Sequence, residues 1–160
     1  MRGYSTIAFA NDHGWGVVKD GCQQIEVIEG KAFSGQKSIS VQWDNVTQKC
    51  SLVVFGVNWS QWKPIDMRKV SPDAVLSFAV QSDELDKLSF RIDLEDFFRL
   101  SMGTDWKKEY VTGKKGNWSL VEIPLRDFKG NANPADIKSL VFRLEGSGNM
   151  LMDQIMWKQK

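Results

Sequence analysis

A single histidine, His13, serves the whole chain, and that scarcity removes most catalytic chemistry at once. A transition-metal centre needs several His, Cys, Asp or Glu ligands at set spacings, and His13 has no partner at such a spacing. A Ser-His-Asp arrangement would have to recruit His13 from an N-terminal turn, and the chain contains no G-x-S-x-G elbow. The basic turn Gly113-Lys114-Lys115-Gly116 lacks the spacing of a phosphate-binding loop. Glycosidic cleavage needs two facing carboxylates, for which Asp93 and Glu145 are available, yet no further catalytic signature accompanies them. The expectation is a protein that binds and does not cut.

Charge of one sign is also missing. Lys and Arg number 21 against 20 Asp and Glu, a net charge of +1, so no electrostatic footprint for nucleic acid or an anionic membrane is present. No apolar run reaches the roughly 18 residues that span a bilayer, and Met1-Arg2-Gly3-Tyr4-Ser5 is not the start of a signal peptide. Either the protein is cytoplasmic, or a leader and neighbouring domains belong to a longer chain. The two cysteines, Cys22 and Cys50, either pair in an oxidising compartment or sit as inert core residues. Repeats, low-complexity tracts and Pro/Gly-rich linkers are absent, and 160 residues suffice for one domain with a proper core.

What the chain does have is tryptophan: seven, beside nine phenylalanines and only two tyrosines. Helical periodicity is almost missing, while short runs of strand character recur between turn signals. Ile25 to Glu29 alternates and closes at Gly30, and Ser38 to Trp43 has strict period two, with Ile39, Val41 and Trp43 on one face. Leu52 to Val57 is nearly all apolar, as in a central strand buried on both faces, and it ends in Asn58-Trp59-Ser60-Gln61-Trp62. Leu76, Phe78 and Val80 alternate inward, and Leu88 to Leu94 places Ser89, Arg91 and Asp93 together on the opposite face. The stretch from Glu95 to Asn117 is irregular and reads as a hairpin with a long loop. Trp118 to Leu125 is a strand ended at Pro124, and Pro134 to Ser139 reads as a short helical turn with Asn133 as its cap. Leu140 to Glu145 and Met150 to Trp157 read as two last strands joined as a hairpin through Gly146 to Asn149. Eight or nine such strands argue an all-β, antiparallel sandwich or barrel.

Tryptophan at an exposed rim calls for a flat, partly apolar partner, and a sugar ring with its C–H face and polar edge is one. Trp59 and Trp62, and Trp106 with Tyr110 in the irregular stretch, are candidate ligand-facing residues; each equally suits a lid folded onto the core. Trp43 and Trp118 read as core. Sugar hydroxyls both donate and accept, so a site also needs planar hydrogen-bonding groups. Arg91 and Asp93, with Arg143 and Glu145 on another strand, supply such a set on a concave sheet face, or form two cross-strand ion pairs on a solvated one.

From Trp118 onward the chain resembles the galactose-binding-like jelly-roll family of carbohydrate-binding modules. The residues that carry the likeness are Trp118 to Pro124, Phe128, Asp136-Ile137, Val141-Phe142-Arg143, Gly146 to Gly148 and Asp153-Gln154-Ile155. Gly30 to Ile39 matches the turn and strand near the start of such modules. The resemblance implies a jelly-roll β-sandwich and a structural calcium held by the last-strand aspartate, here Asp153, with Asp12 or carbonyls between Lys31 and Ser38. The competing reading is that Asp153 accepts backbone hydrogen bonds. The function expected is non-catalytic binding of a polysaccharide of β-glucan or mannan type, which brings an attached or partner glycan-active enzyme to its substrate. An extracellular or periplasmic place follows from that role. The alternative is a structural or protein-interaction sandwich packed against a glycoside hydrolase, with no sugar site of its own.

Overall fold

A computed structural model describes residues 23–47, 53–58 (by backbone) and 63–159. In chain order the strands are β1 (Gln23–Glu29), β2 (Lys37–Asp44), β3 (Val53–Asn58), β4 (Val75–Gln81), β5 (Ser89–Asp96), β6 (Ser101–Asp105), β7 (Val111–Lys115), β8 (Trp118–Pro124), β9 (Lys129–Gly130), β10 (Ile137–Glu145) and β11 (Ser147–Lys158). Among the described residues the remaining elements are single 3-10 turns, so the all-β reading holds.

Two antiparallel sheets result. One runs β1-β2-β11-β4-β8-β7 and the other β3-β10-β5-β6-β9. Period-two apolar faces meet between them, with Leu76, Phe78 and Val80 of β4 facing Phe90, Ile92 and Leu94 of β5 and Leu140, Phe142 and Leu144 of β10 in one buried cluster. Phe78 meets Phe142 edge to face across the gap, ring centroids 6.1 Å apart. A ring buried as completely as Phe142 contributes roughly 2–3 kcal/mol by removal from water. Trp43 and Trp157 join this core, Trp157 beside Phe128 at 5.7 Å.

Several expectations change. The apolar β3 is not central: among the described residues it is the terminal strand of its sheet, paired with β10. Hydrophobic periodicity carries no information on how many strands flank a run in its sheet, which is why it misplaced β3. Residues 134–136 make no helix. Asn133 Oδ1 accepts from the Ala135 N–H, the Asp136 N–H bonds back to the Asn133 carbonyl, and β10 begins at Ile137. The irregular stretch contains β6 and β7, which lie in different sheets.

The last two strands are not a hairpin pair either. β10 pairs with β3 and β5, while β11 pairs with β2 and β4, so Gly146 is the corner where the chain crosses between sheets. Its φ of 65° favours glycine, and its carbonyl accepts from the Asn45 N–H. Trp43 Nε1 donates to the Glu145 carbonyl and Asn45 Nδ2 to that of Leu144, which pins the corner from β2. Trp118 is buried but on the far face of its sheet, beneath Phe33, with ring centroids 6.1 Å apart.

Candidate functional site

On β5 the residues Ser89, Arg91, Asp93 and Glu95 alternate with the core positions Phe90, Ile92 and Leu94, so they lie on the outer face of the five-stranded sheet. Register brings the matching face of β10 alongside: Arg91 pairs with Arg143, Asp93 with Val141 and Glu145 with Ser89. Two guanidinium groups thus stand on directly paired positions, an arrangement that is unfavourable without an anion between them. Asp93 supplies it. Arg91 Nε donates to Asp93 Oδ1 and Arg143 Nε to Asp93 Oδ2, both at 2.8 Å.

The carboxylate of Asp93 is fully buried although it belongs to the outer face, and Gly103 across the β5–β6 pairing explains the fit. A Cβ at Gly103 would stand 2.1 Å from Asp93 Oδ1 and 2.2 Å from the Ile92 carbonyl oxygen. Only glycine leaves room for the carboxylate there. The charges then alternate along the face. Arg143 Nη2 reaches Glu95 Oε2 at 3.3 Å, Lys138 Nζ reaches Glu95 Oε1 at 3.3 Å, and Arg91 Nη1 lies 3.6 Å from Asp105. The arginine side chains keep 36% and 27% of their surface open to solvent. Fixed guanidinium planes that remain reachable are donors suited to neutral hydroxyls as much as to anions.

Of the sequence-predicted polar set, Arg91, Asp93 and Arg143 are brought together. Glu145 is not part of the cluster: it lies one outward pair further along and accepts from Ser89 Oγ at 3.0 Å. Sequence reasoning missed Glu95, Lys138 and Asp105. Glu95 shares the parity of Arg91 and Asp93, a signal already present in the sequence. Lys138 carries no such signal, because a register shift between Ile137 and Ser139 breaks the alternation of β10.

The aromatic candidates divide. Trp59 and Trp62 lie outside the described residues; Asn58, which precedes them, pairs with Ser139 at the Glu95 end of the polar face. Tyr110 is corrected to a core residue. It is 6% exposed, and its hydroxyl lies 3.0 Å from Thr104 Oγ1 and donates to Asp127 Oδ2 at 2.9 Å, so no ring face is left for a ligand. Burial, with the carboxylate of Asp127 beside it, holds its phenol above the usual pKa. Trp106 is corrected in part: its ring stacks on Phe90 at 5.2 Å and its Nε1 donates to the Leu85 carbonyl, the lid arrangement, while the residue remains half-buried.

For the calcium expected from the resemblance, Asp12 lies outside the described residues. Asp153 Oδ2 accepts the N–H groups of Phe33 and Ser34 at 2.8 and 2.9 Å, and Oδ1 accepts that of Gln154 at 2.7 Å. The Lys31 carbonyl accepts from Ser38 Oγ. A calcium ion needs oxygens turned toward it, and this loop turns amide protons toward the carboxylate instead. Among the described residues the contacts of Asp153 are those of the competing reading. A groove of about 840 Å³ lies elsewhere, between residues 81–87 and the β7–β8 turn, and contains none of the arginine–aspartate cluster.

The fold has close counterparts among solved structures. A crystal structure of a family 30 carbohydrate-binding module superposes with a TM-score of 0.75 at 14% identity, covering 99% of this chain and 87% of that one. The family 30 module of a cellulosomal cellulase of Clostridium thermocellum gives 0.75 at 14% identity, with 99% and 96% covered. A family 11 module of the same organism, in complex with a β-1,3-1,4-mixed-linked tetrasaccharide, gives 0.52 at 14% identity, with 86% and 84% covered. No curated protein matches the chain. The model of the family described as carbohydrate binding domain 30 matches residues 6–159, and the chain is therefore a member of that family, a non-catalytic carbohydrate-binding module.

Proposed function

We propose that this module binds a polysaccharide of the β-glucan type on the outer face of its five-stranded sheet, and so keeps an attached or partner glycan-active enzyme at its substrate outside the cytoplasm. The observation that carries the reading is the Arg91–Asp93–Arg143 triad, in which one buried carboxylate fixes two solvent-reachable guanidinium planes side by side. Preorganised donors of this kind lose little freedom when a hydroxyl-rich chain is laid across them. Trp59 and Trp62 follow β3 in the sequence, and β3 borders β10 in the same sheet, which makes them the candidate stacking partners. The β-1,3-1,4-mixed-linked tetrasaccharide of the family 11 complex makes a β-glucan of that linkage the first ligand to try.

Native affinity electrophoresis through gels containing soluble mixed-linked β-glucan, xyloglucan or glucomannan tests this. Retarded migration is expected, weakened by Arg143→Lys, which keeps the charge but loses the planar fork, and by Trp59→Ala or Trp62→Ala. Unretarded migration of the wild-type module on every glycan of the panel would overturn the reading.

A further inference from the structure

β5 and β6 are joined at Phe97, Phe98 and Arg99, and this short loop is built with care. The Asp96 N–H bonds the Leu100 carbonyl, the Arg99 N–H bonds the Asp96 carbonyl, and Arg99 takes φ of 62°, the left-handed residue of a three-residue hairpin loop. Buried Asp96 anchors it. Its Oδ1 accepts the N–H groups of Phe98 and Leu100, and its Oδ2 accepts that of Asn133. A loop with this many internal bonds does not fold its apolar side chains away: Phe98 is 81% exposed, Phe97 47% and Leu100 48%.

Phe97 and Phe98 follow directly on Asp96, the last residue of β5, and lie in the turn beyond Glu95. The exposed rings stand at the hairpin tip, beyond the end of the polar strip where Glu95 pairs with Ser139 and Ser101. An aromatic side chain has roughly 150–250 Å² to bury, of which 81% at Phe98 and 47% at Phe97 is open; that suits one or two sugar rings and is well short of the roughly 800 Å² per partner of a stable protein interface. We propose that Phe97 and Phe98 form an additional stacking subsite that extends the glycan-binding face past the tip of the β5–β6 hairpin. This rests on the proposed polysaccharide site, and it assigns to the hairpin the apolar contact that the Arg–Asp strip does not provide.

The test is isothermal titration of mixed-linked β-glucan into the wild-type module and into Phe98→Ala, Phe97→Ala/Phe98→Ala, Arg99→Gly and Arg143→Lys variants, with sedimentation of each. Phe98→Ala should fold normally, since its ring is exposed, and should bind roughly three- to tenfold more weakly, the double variant more weakly still. Arg99→Gly suits the same backbone and should bind as wild type. Unchanged affinity in both phenylalanine variants, with binding weakened by Arg143→Lys, would overturn the subsite and leave the proposed function standing. Absence of any wild-type binding would overturn both. A concentration-dependent dimer that Phe98→Ala abolishes, without a loss of glycan affinity, would assign the rings to a second copy of the chain and overturn the subsite.

Discussion

Asp93 decides more than any other side chain on the outer face. Among the described residues it is the carboxylate to which both Arg91 and Arg143 donate, and it is buried while its partners are not. Replacing it with alanine leaves two like charges on adjacent strands and a polar hole beneath them. A buried carboxylate lost from an ion-paired site costs about 3–5 kcal/mol, and the solvent exposure of both arginines lowers the expected loss in Asp93→Ala to about 2–3 kcal/mol. Urea unfolding checks the figure: a midpoint that does not move would mean that solvent already screens the arginines. Arg91 and Asp93 were legible as a pair from period two alone, and Arg143 from its position on a second alternating strand. Glu145 looked equally good, and only the register separated it from the cluster.

At the scale of the element, the β5–β6 hairpin depends on the ionised form of Asp96. Burial would raise its carboxyl, but the N–H groups of Asn133, Leu100 and Phe98, with the charge of Lys138, outweigh burial and hold it below the ordinary value. A carboxyl with a depressed folded pKa stabilises fully above its unfolded value, near 4, and the contribution fades as pH falls through the folded value. The stability gap between wild type and Asp96→Asn should thus be about 1–3 kcal/mol at pH 7 and should shrink below about pH 4. Chemical unfolding at pH 7, 4 and 3 measures it; a gap that stays constant with pH would contradict the assignment. The hairpin itself was hidden in the sequence. Arg99 holds a position that usually announces itself as glycine, so the turn carried no local signal.

For the whole molecule, the contact between the residue 31–36 loop and β11 runs through amides on Asp153, so chelator and added calcium should leave the melting temperature unchanged. A bound ion at a thousand times its Kd would add about 4 kcal/mol and be plain in calorimetry, which makes a calcium-dependent rise decisive against this geometry. Polysaccharide behaves differently. At a hundred times its Kd it should add about 2.7 kcal/mol, or roughly 5–10 °C for a chain of this size. Because the ligand is neutral and the net charge is +1, that shift should vary little with salt.

Composition and periodicity by themselves determined that this chain is all-β, a sandwich or a barrel, and which alternating positions face a core. Those are properties of short windows, because period two needs only neighbours. Which strands share a sheet was decided only by tertiary structure. Gly146 reads as a hairpin turn and is a corner between sheets, β3 reads as central and is terminal among the described strands, and Tyr110 reads equally as a rim aromatic or a lid and lies in the core. Register between strands distant in sequence also set the site, because Arg91 and Arg143 are separated by 51 residues of chain that no local pattern spans. Burial of Asp93 required a glycine on a third strand, and no window on one strand contains that information.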